Sequence, residues 1–437
     1  MVSENIYGKI LALLREIRLV KPMDEEYFQS SFLVSNNTAR LNPFGNIGLE
    51  WWYTRKGYRT CDDLAKMIIA QNMLLSEGDY ESFSNIIRDT IERNGLNEEL
   101  FKTDIVFKSE VENLLDARNI PDHKIFAVRL YEIIEKELTM ALSDWMIIAP
   151  ITTILSESYY FENLNIHLLS SKDIGYWQCV NSDYKSSYGF NPADGKNFNS
   201  SIIPAAYKVP SNWIIFKTTG TEIGAIKKME FLTRELIVLI YSLKVSSSCE
   251  LNNLIENKNP RYCFMFPKYE EKVGFNLQIS PLPFIEPPFS TVTTIDPHDL
   301  KNIDEYIQSI QKLKPQHQKR FETATQFIHY GMLAYSNVEK FMHFYIALDA
   351  MYGEIYNVEE SIKNGLLSIK NVDKDIEMKS KKLYDLRNEI LHGGCSRLEE
   401  WKGYSKYLDV FEVEPFEDLE LICYRCIMNY YKYAKEI

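Results

Sequence analysis

The chain lacks any apolar stretch long enough to cross a bilayer. Its longest, Trp145 to Leu155, falls well short of the ~20 residues a spanning helix needs, and Pro150 interrupts it. A secretory leader is also missing from the N-terminus, because Lys9, Arg15, Glu16 and Arg18 break the apolar stretch where one would be unbroken. Positive charge is scarce: 49 Lys+Arg against 61 Asp+Glu leave a formal charge of −12. A wholly basic nucleic-acid binder is excluded, so any contact with phosphate must come from a local patch working against an acidic whole. No disulfide framework is visible either. The seven cysteines (Cys61, Cys179, Cys249, Cys263, Cys395, Cys423 and Cys426) are scattered and odd in number, which suits reduced thiols and a cytoplasmic location.

The familiar catalytic signatures are absent too. There is no P-loop, no G-x-G-x-x-G after a strand, no H-E-x-x-H and no G-x-S-x-G. Seven histidines without clustered Cys/His spacing give no reason to expect a metal or a cofactor. The single C-x-x-C, Cys423 to Cys426, has no second pair and lies in a helical pattern, so it reads as packing.

What remains is an ordinary globular composition, 45% apolar and 25% charged, over a length that suits two or three domains. Residues 1–145 read as mostly helical. Ile6, Ile10, Leu13, Leu14 and Ile17 recur at helical spacing, and Thr60-Cys-Asp-Asp63 reads as the opening of a second helix towards Leu75. Ser109-Glu-Val-Glu112 has the capping-box pattern, and Pro121 separates it from a further helix over 126–142. From 146 to 290 the texture is mixed. Ile166–Leu169, Tyr176–Cys179 and Trp213–Phe216 read as strands between polar loops, 223–244 as a helix, and Tyr262–Phe266 with Val273–Ile279 as a strand pair.

Pro281, Pro283, Pro287 and Pro288 then mark a linker or domain edge. Beyond it Asp296-Pro297 supplies an N-cap and an N1 proline, and helices are expected over 297–313, 318–334, 336–353, 359–369, 376–392 and 416–436. The whole is expected to be an α+β protein, dominantly helical, ending in a small bundle over 295–437.

Chemistry concentrates in one segment, Tyr384-Asp-Leu-Arg-Asn-Glu-Ile-Leu-His-Gly-Gly394. Asn388 and His392 are i,i+4 and share a helical face, and Arg387 is long enough to reach round to them. Gly393 and Gly394 stop the helix directly after the histidine, where the negative end of the helix dipole favours an imidazolium. A cation, an amide and a titratable ring at one helix end can bind a phosphodiester and move its protons. A second Arg-x4-His pair, Arg118 and His123, has Pro121 between its ends and reads as a loop.

About forty residues upstream lies an apolar helix carrying one acidic residue near its end, Ala347-Leu348-Asp349. This pair of helices resembles the HEPN superfamily, most closely the ApeA-like HEPN domains of prokaryotic defence proteins, in which an "ALE"-type helix precedes an "RN-x3-H" helix ending in glycine. The resemblance covers about 295–437 and rests on Arg387, Asn388, His392, Gly393 and the 347–349 segment, with Asp349 where the family more often has Glu. It implies a metal-independent endoribonuclease in antiviral defence, acting as a homodimer on RNA of host or phage, tRNA included. His392 would exchange protons with the reacting oxygens, Arg387 would stabilise charge on phosphorus, Asn388 would orient it, and Asp349 would hold Arg387. Residues 1–290 would then sense a trigger or select the substrate. The alternative reading is a non-catalytic binding or regulatory protein whose HEPN-like bundle serves dimerisation, in which Arg387 and Asp349 form a structural ion pair and His392 caps the helix.

Lys312, Lys314, Lys319 and Arg320 form a basic run beside the bundle that could hold RNA phosphates, although such runs are more often solvated loops. Trp51-Trp52-Tyr53 could stack on a base but has the composition of core. His298 and His317 have no partner visible in the sequence.

Overall fold

A computed structural model describes residues 4–18, 27–33, 48–94, 113–117, 123–151, 154–184, 190–193, 196–197, 200–201, 212–245, 262–268, 278–281, 294–369 and 375–436. Its elements, in chain order, begin with α1 (Glu4–Arg15), β1 (Ile17–Arg18), β2 (Tyr27–Leu33), β3 (Gly48–Thr54), α2 (Arg55–Gln71), α3 (Tyr80–Asn94), α4 (Leu114–Ala117) and α5 (His123–Ala141). They continue with β4 (Ser143–Ile151), β5 (Ile154–Leu155), β6 (Tyr159–Phe161), β7 (Ile166–Ser170), α6 (Ile174–Val180), β8 (Lys196–Asn197), β9 (Ser200–Ser201), β10 (Asn212–Gly220), α7 (Glu222–Val245), β11 (Tyr262–Pro267), β12 (Gln278–Pro281) and β13 (Thr294–Ile295). Helices complete the chain: α8 (Pro297–Gln311), α9 (Pro315–Leu333), α10 (Asn337–Tyr352), α11 (Val358–Leu367), α12 (Ile376–Leu391), α13 (Tyr404–Phe411) and α14 (Pro415–Glu436). The protein is dominantly helical α+β, and it divides into two compact units. One comprises residues 1–145 and 218–225, the other 146–217 and 226–437.

In the first unit α1 buries Ile6, Ile10, Leu13 and Leu14 on the stripe their spacing implies, and they share a core with Leu64 and Ile68 of α2, Phe83 and Ile87 of α3, and Leu130 and Ile134 of α5. Two expectations change here. Ile17 leaves the helical stripe for β1, which pairs with β3 in an antiparallel sheet of order β1-β3-β2. Tyr53 is thus a strand residue, buried with its ring edge-on to Tyr58 at 5.7 Å, while Trp52 is half-buried. The second helix also begins earlier than Thr60. Thr54 ends β3 and caps α2, its hydroxyl accepting from the Gly57 N–H at 3.0 Å. Thr60 is buried inside that helix. The capping-box pattern at 109–112, Arg118, Pro121, the side chain of Trp51, Cys249, residues 273–277 of the expected second strand, and the proline-rich stretch 282–293 lie outside the described residues.

The second unit is built on a six-stranded sheet, β12-β11-β4-β10-β7-β6. Residues 145–151 of β4 are buried without alternation, as expected of a strand covered on both faces. On one face Met146, Ile148, Trp213, Ile215, Phe264 and Phe266 pack against Trp177 and Val180. Those last two residues belong to α6, so Tyr176–Cys179 is a helix and not a strand. Asp173 makes the difference: its carboxylate accepts from the Tyr176 N–H at 3.0 Å and starts a turn.

The helices beyond β13 begin as the cap pattern implies, with the carboxylate of Asp296 accepting from the Asp299 N–H at 2.9 Å and Pro297 at N1. Helix α14 is the post against which the others stack. Tyr306 of α8 donates to the Ile427 carbonyl, Phe321 of α9 stacks on Tyr430 at 6.3 Å, and Phe344 of α10 meets Tyr424 edge-on at 5.8 Å. From α12, Lys379 pairs with Asp418 at 2.8 Å. Helix α7 joins this group as well: Tyr241 meets Tyr424 at 5.4 Å, Arg234 lies over the Tyr330 ring, and Lys244 pairs with Asp299.

Candidate active site

Helices α10 and α12 bring the residues of the site together. Helix α12 ends in a Schellman motif: the Gly394 N–H donates to the Glu389 carbonyl at 2.8 Å and the Gly393 N–H to the Ile390 carbonyl at 3.1 Å. Gly393 has φ +74°, a conformation that L side chains rarely adopt, so glycine is needed there to make the turn. The His392 N–H still donates to the Asn388 carbonyl at 3.0 Å, which keeps the i,i+4 relation of the two side chains at the very end of the helix. His392 is exposed; Arg387 and Asn388, one turn back, are half-buried.

Arg387 and Asn388 meet directly, Nη1 donating to the amide oxygen at 2.9 Å. With its oxygen accepting from Arg387, the Asn388 amide keeps its N–H donors for another partner. The Arg387 guanidinium also lies 6.0 Å from the ring centre of Tyr345, at the edge of cation–π range. Tyr345 is buried, and desolvation pushes its phenol well up, so it is a neutral wall at this pH and not a proton donor to solvent.

Asp349 sits one turn after Tyr345 on the same face of α10 and is half-buried. Its carboxylate folds back over the helix end. An added Cβ on Gly353 would lie 1.7 Å from Oδ1 and 2.6 Å from the Asp349 carbonyl oxygen, so a larger residue there would have to displace both. Burial raises the Asp349 pKa, while Arg387 and then Arg320 pull it back down. No Arg387–Asp349 nitrogen–oxygen pair falls within 4.0 Å among the described residues; the arginine is held in contact by Asn388 and Tyr345, and Asp349 acts on it through its field.

The basic run divides. Lys312, Lys314 and Lys319 are exposed, at the end of α8 and the beginning of α9. Arg320 turns inward and donates to the carbonyls of Met351 at 3.1 Å and Gly353 at 2.8 Å, closing the C-terminus of α10. It is committed to that helix end, so of the four basic residues only the lysines stay exposed. His317 finds a partner, its Nδ1 lying 3.2 Å from the Tyr430 hydroxyl, and burial pushes its pKa down. His298 is exposed in the first turn of α8. Cys423 and Cys426 are buried, with burial pushing the Cys426 thiol up to about 12, so the C-x-x-C is packing.

Tyr345 was not singled out by the sequence, although its place four residues before Asp349 was a usable signal. No protein-family model, curated protein or solved structure matches the chain. Among the described residues no helix is long and apolar enough to cross a membrane.

Proposed function

We propose that the helical part of the second unit is a HEPN-type, metal-independent endoribonuclease acting in antiviral defence. The observation that carries this reading is the convergence of Arg387, Asn388 and His392 at the exposed end of α12, with the arginine backed by Tyr345 and Asp349. In the reaction the RNA 2′-oxygen attacks the adjacent phosphorus and loses its proton. The bond to the 5′-oxygen breaks, that oxygen gains a proton, and a 2′,3′-cyclic phosphate and a 5′-hydroxyl remain. His392 exchanges one of these protons, since its imidazole is exposed and makes no hydrogen bond to a described residue. The outward face of Arg387 stabilises the second negative charge that forms on phosphorus, and the Asn388 N–H groups fix the orientation of that group. The half-buried Asp349 keeps the guanidinium from being drawn out with the product.

One such set lies at the end of a single helix and excludes little water. The working unit is therefore a homodimer that places two α12 ends about a two-fold axis, and it should sediment as a dimer at micromolar concentration. Residues before the bundle select the RNA or sense the trigger. The test is cleavage of total RNA with mapping of the new ends. Wild type should leave cyclic phosphates in the presence of EDTA, and Arg387→Ala and His392→Ala should each lose at least a hundredfold in rate with unchanged circular dichroism. Cleavage that EDTA stops and Mg²⁺ restores would overturn the mechanism. Absence of cleavage with intact dimerisation would favour the bundle as a binding module.

A further inference from the structure

Away from the Arg387–His392 end, the first turn of α12, the end of α11 and one face of α14 enclose a cavity of about 220 Å³. Its walls are apolar: Leu366, Ile369 and Ile376 on one side, Val413, Leu421 and Ile422 on the other. Three charged side chains also line it, Lys379, Asp418 and Arg425. Lys379 and Asp418 are each 6% exposed and paired at 2.8 Å, and the Tyr407 hydroxyl donates to the same carboxylate at 2.7 Å. Asp418 is therefore saturated, and the pair is a polar but neutral piece of the wall. Arg425 differs. It is exposed on the same face of α14 as Leu421 and Ile422, and its guanidinium makes no ion pair with any described residue. The charges around the cavity sum to +1, two cations against one carboxylate, and the positive excess stands at Arg425.

We infer that this cavity is a binding site for a small monocarboxylate with an apolar body. A cavity of roughly 150 Å³ takes a benzene ring, so 220 Å³ has room for an aryl or six-carbon alkyl chain together with its head group. The hydrocarbon part replaces water against the aliphatic walls, and the carboxylate meets the planar fork of Arg425 in two parallel hydrogen bonds. A cation is repelled by that guanidinium. A phosphate dianion brings more charge than the single uncompensated arginine neutralises, and beside these apolar walls the remainder would have to be desolvated. The Cys426 thiol also lines the cavity, but burial holds it in the unreactive protonated form, so the site binds and does not react. Arg425 and Asp418 take no part in the proposed cleavage, so ligand binding is read independently of it.

The test uses the full-length protein with hexanoate as probe, followed by calorimetry and by saturation transfer from protein to ligand. Hexanol and hexylammonium are the matched neutral and cationic controls. Hexanoate should bind at least tenfold more tightly than hexanol, and hexylammonium should not bind. Arg425→Gln should reduce hexanoate to the level of hexanol. Leu421→Trp should abolish binding by filling the cavity, with Val413→Phe as a second filling variant if the first does not fold. No hexanoate binding, equal binding of hexanoate and hexylammonium, or hexanoate binding undiminished in the filled variants would overturn the assignment.

Discussion

Two arginines that look alike in the sequence do different work, and the difference is set by what their nitrogens touch. Arg320 spends its guanidinium on two carbonyls at the end of α10, beside a carboxylate that would otherwise face the negative end of a helix dipole. Arg387 gives one nitrogen to Asn388. Arg320→Gln should therefore lower stability by about 2–3 kcal/mol in urea unfolding, the scale of charge-assisted hydrogen bonds to buried carbonyls. Lys312→Gln and Lys314→Gln, on the exposed loop, should leave it within about 0.5 kcal/mol. A stable Arg320→Gln protein would show that the α10 terminus does not need it. Glu235 is a second residue whose behaviour follows from its surroundings. It is buried in α7, with Glu322 of α9 opposing its charge and Tyr306 of α8 close by, and burial raises its pKa from 4.5 to about 8. Between those values the unfolded chain has released the proton that the native state keeps. Stability therefore falls as pH rises, by up to about 1.4 kcal/mol per pH unit from this group, and levels off above pH 8. Glu235→Gln should flatten that slope and be the more stable protein at pH 8; an unchanged slope would reject the assignment.

At the scale of elements, legibility followed from how local the determining interaction was. The start of α8 could be read because Asp296, Pro297 and Asp299 cap it among themselves. The end of α12 was legible for the same reason: two glycines and a Schellman turn need only adjacent residues. Helix α6 was misread because Tyr176–Cys179 is rich in strand-forming residues, and one carboxylate just upstream decides against them. Helix α13 escaped notice altogether; it is short, and Tyr407 is fixed by Asp418 from another helix. The contact of Arg387 with Asn388 was within reach of spacing arguments, but the inward turn of Arg320 depends on where α10 ends in space. The Schellman turn makes a prediction of its own. At Gly393 an added Cβ meets nothing within 4 Å, so Gly393→Ala carries only the backbone cost of a left-handed alanine, about 1–2 kcal/mol. If the turn positions His392, that substitution should reduce RNA cleavage while the protein remains folded, and Gly393→Asn, which tolerates the conformation better, should recover part of the rate. Full activity in Gly393→Ala would separate the turn from the site.

On the scale of the molecule, the proline-rich stretch marked a domain edge, and a small bundle was expected over 295–437. The structure draws the second unit wider, to include 146–217 and 226–437. This could not be read along the chain, because no local signal says that a helix fifty residues upstream belongs to the same core. Yet α7 gives Tyr241 to Tyr424, Arg234 to Tyr330 and Lys244 to Asp299, while β5 pairs in parallel with β13 directly before α8. Leu236, Ile237, Leu239 and Ile240 are all buried along α7. Cutting at 295 takes away the side chains that meet Tyr424, Tyr330 and Asp299, and apolar surface exposed by the cut costs about 25 cal/mol for each Å². The 295–437 fragment should accordingly be aggregated or lack a cooperative thermal transition, whereas 146–437 should melt cooperatively. Calorimetry on the two fragments at equal concentration decides the matter. A 295–437 fragment that melts cooperatively, at the temperature of the longer one, would show that α7 and the sheet are appended to a bundle that is complete without them.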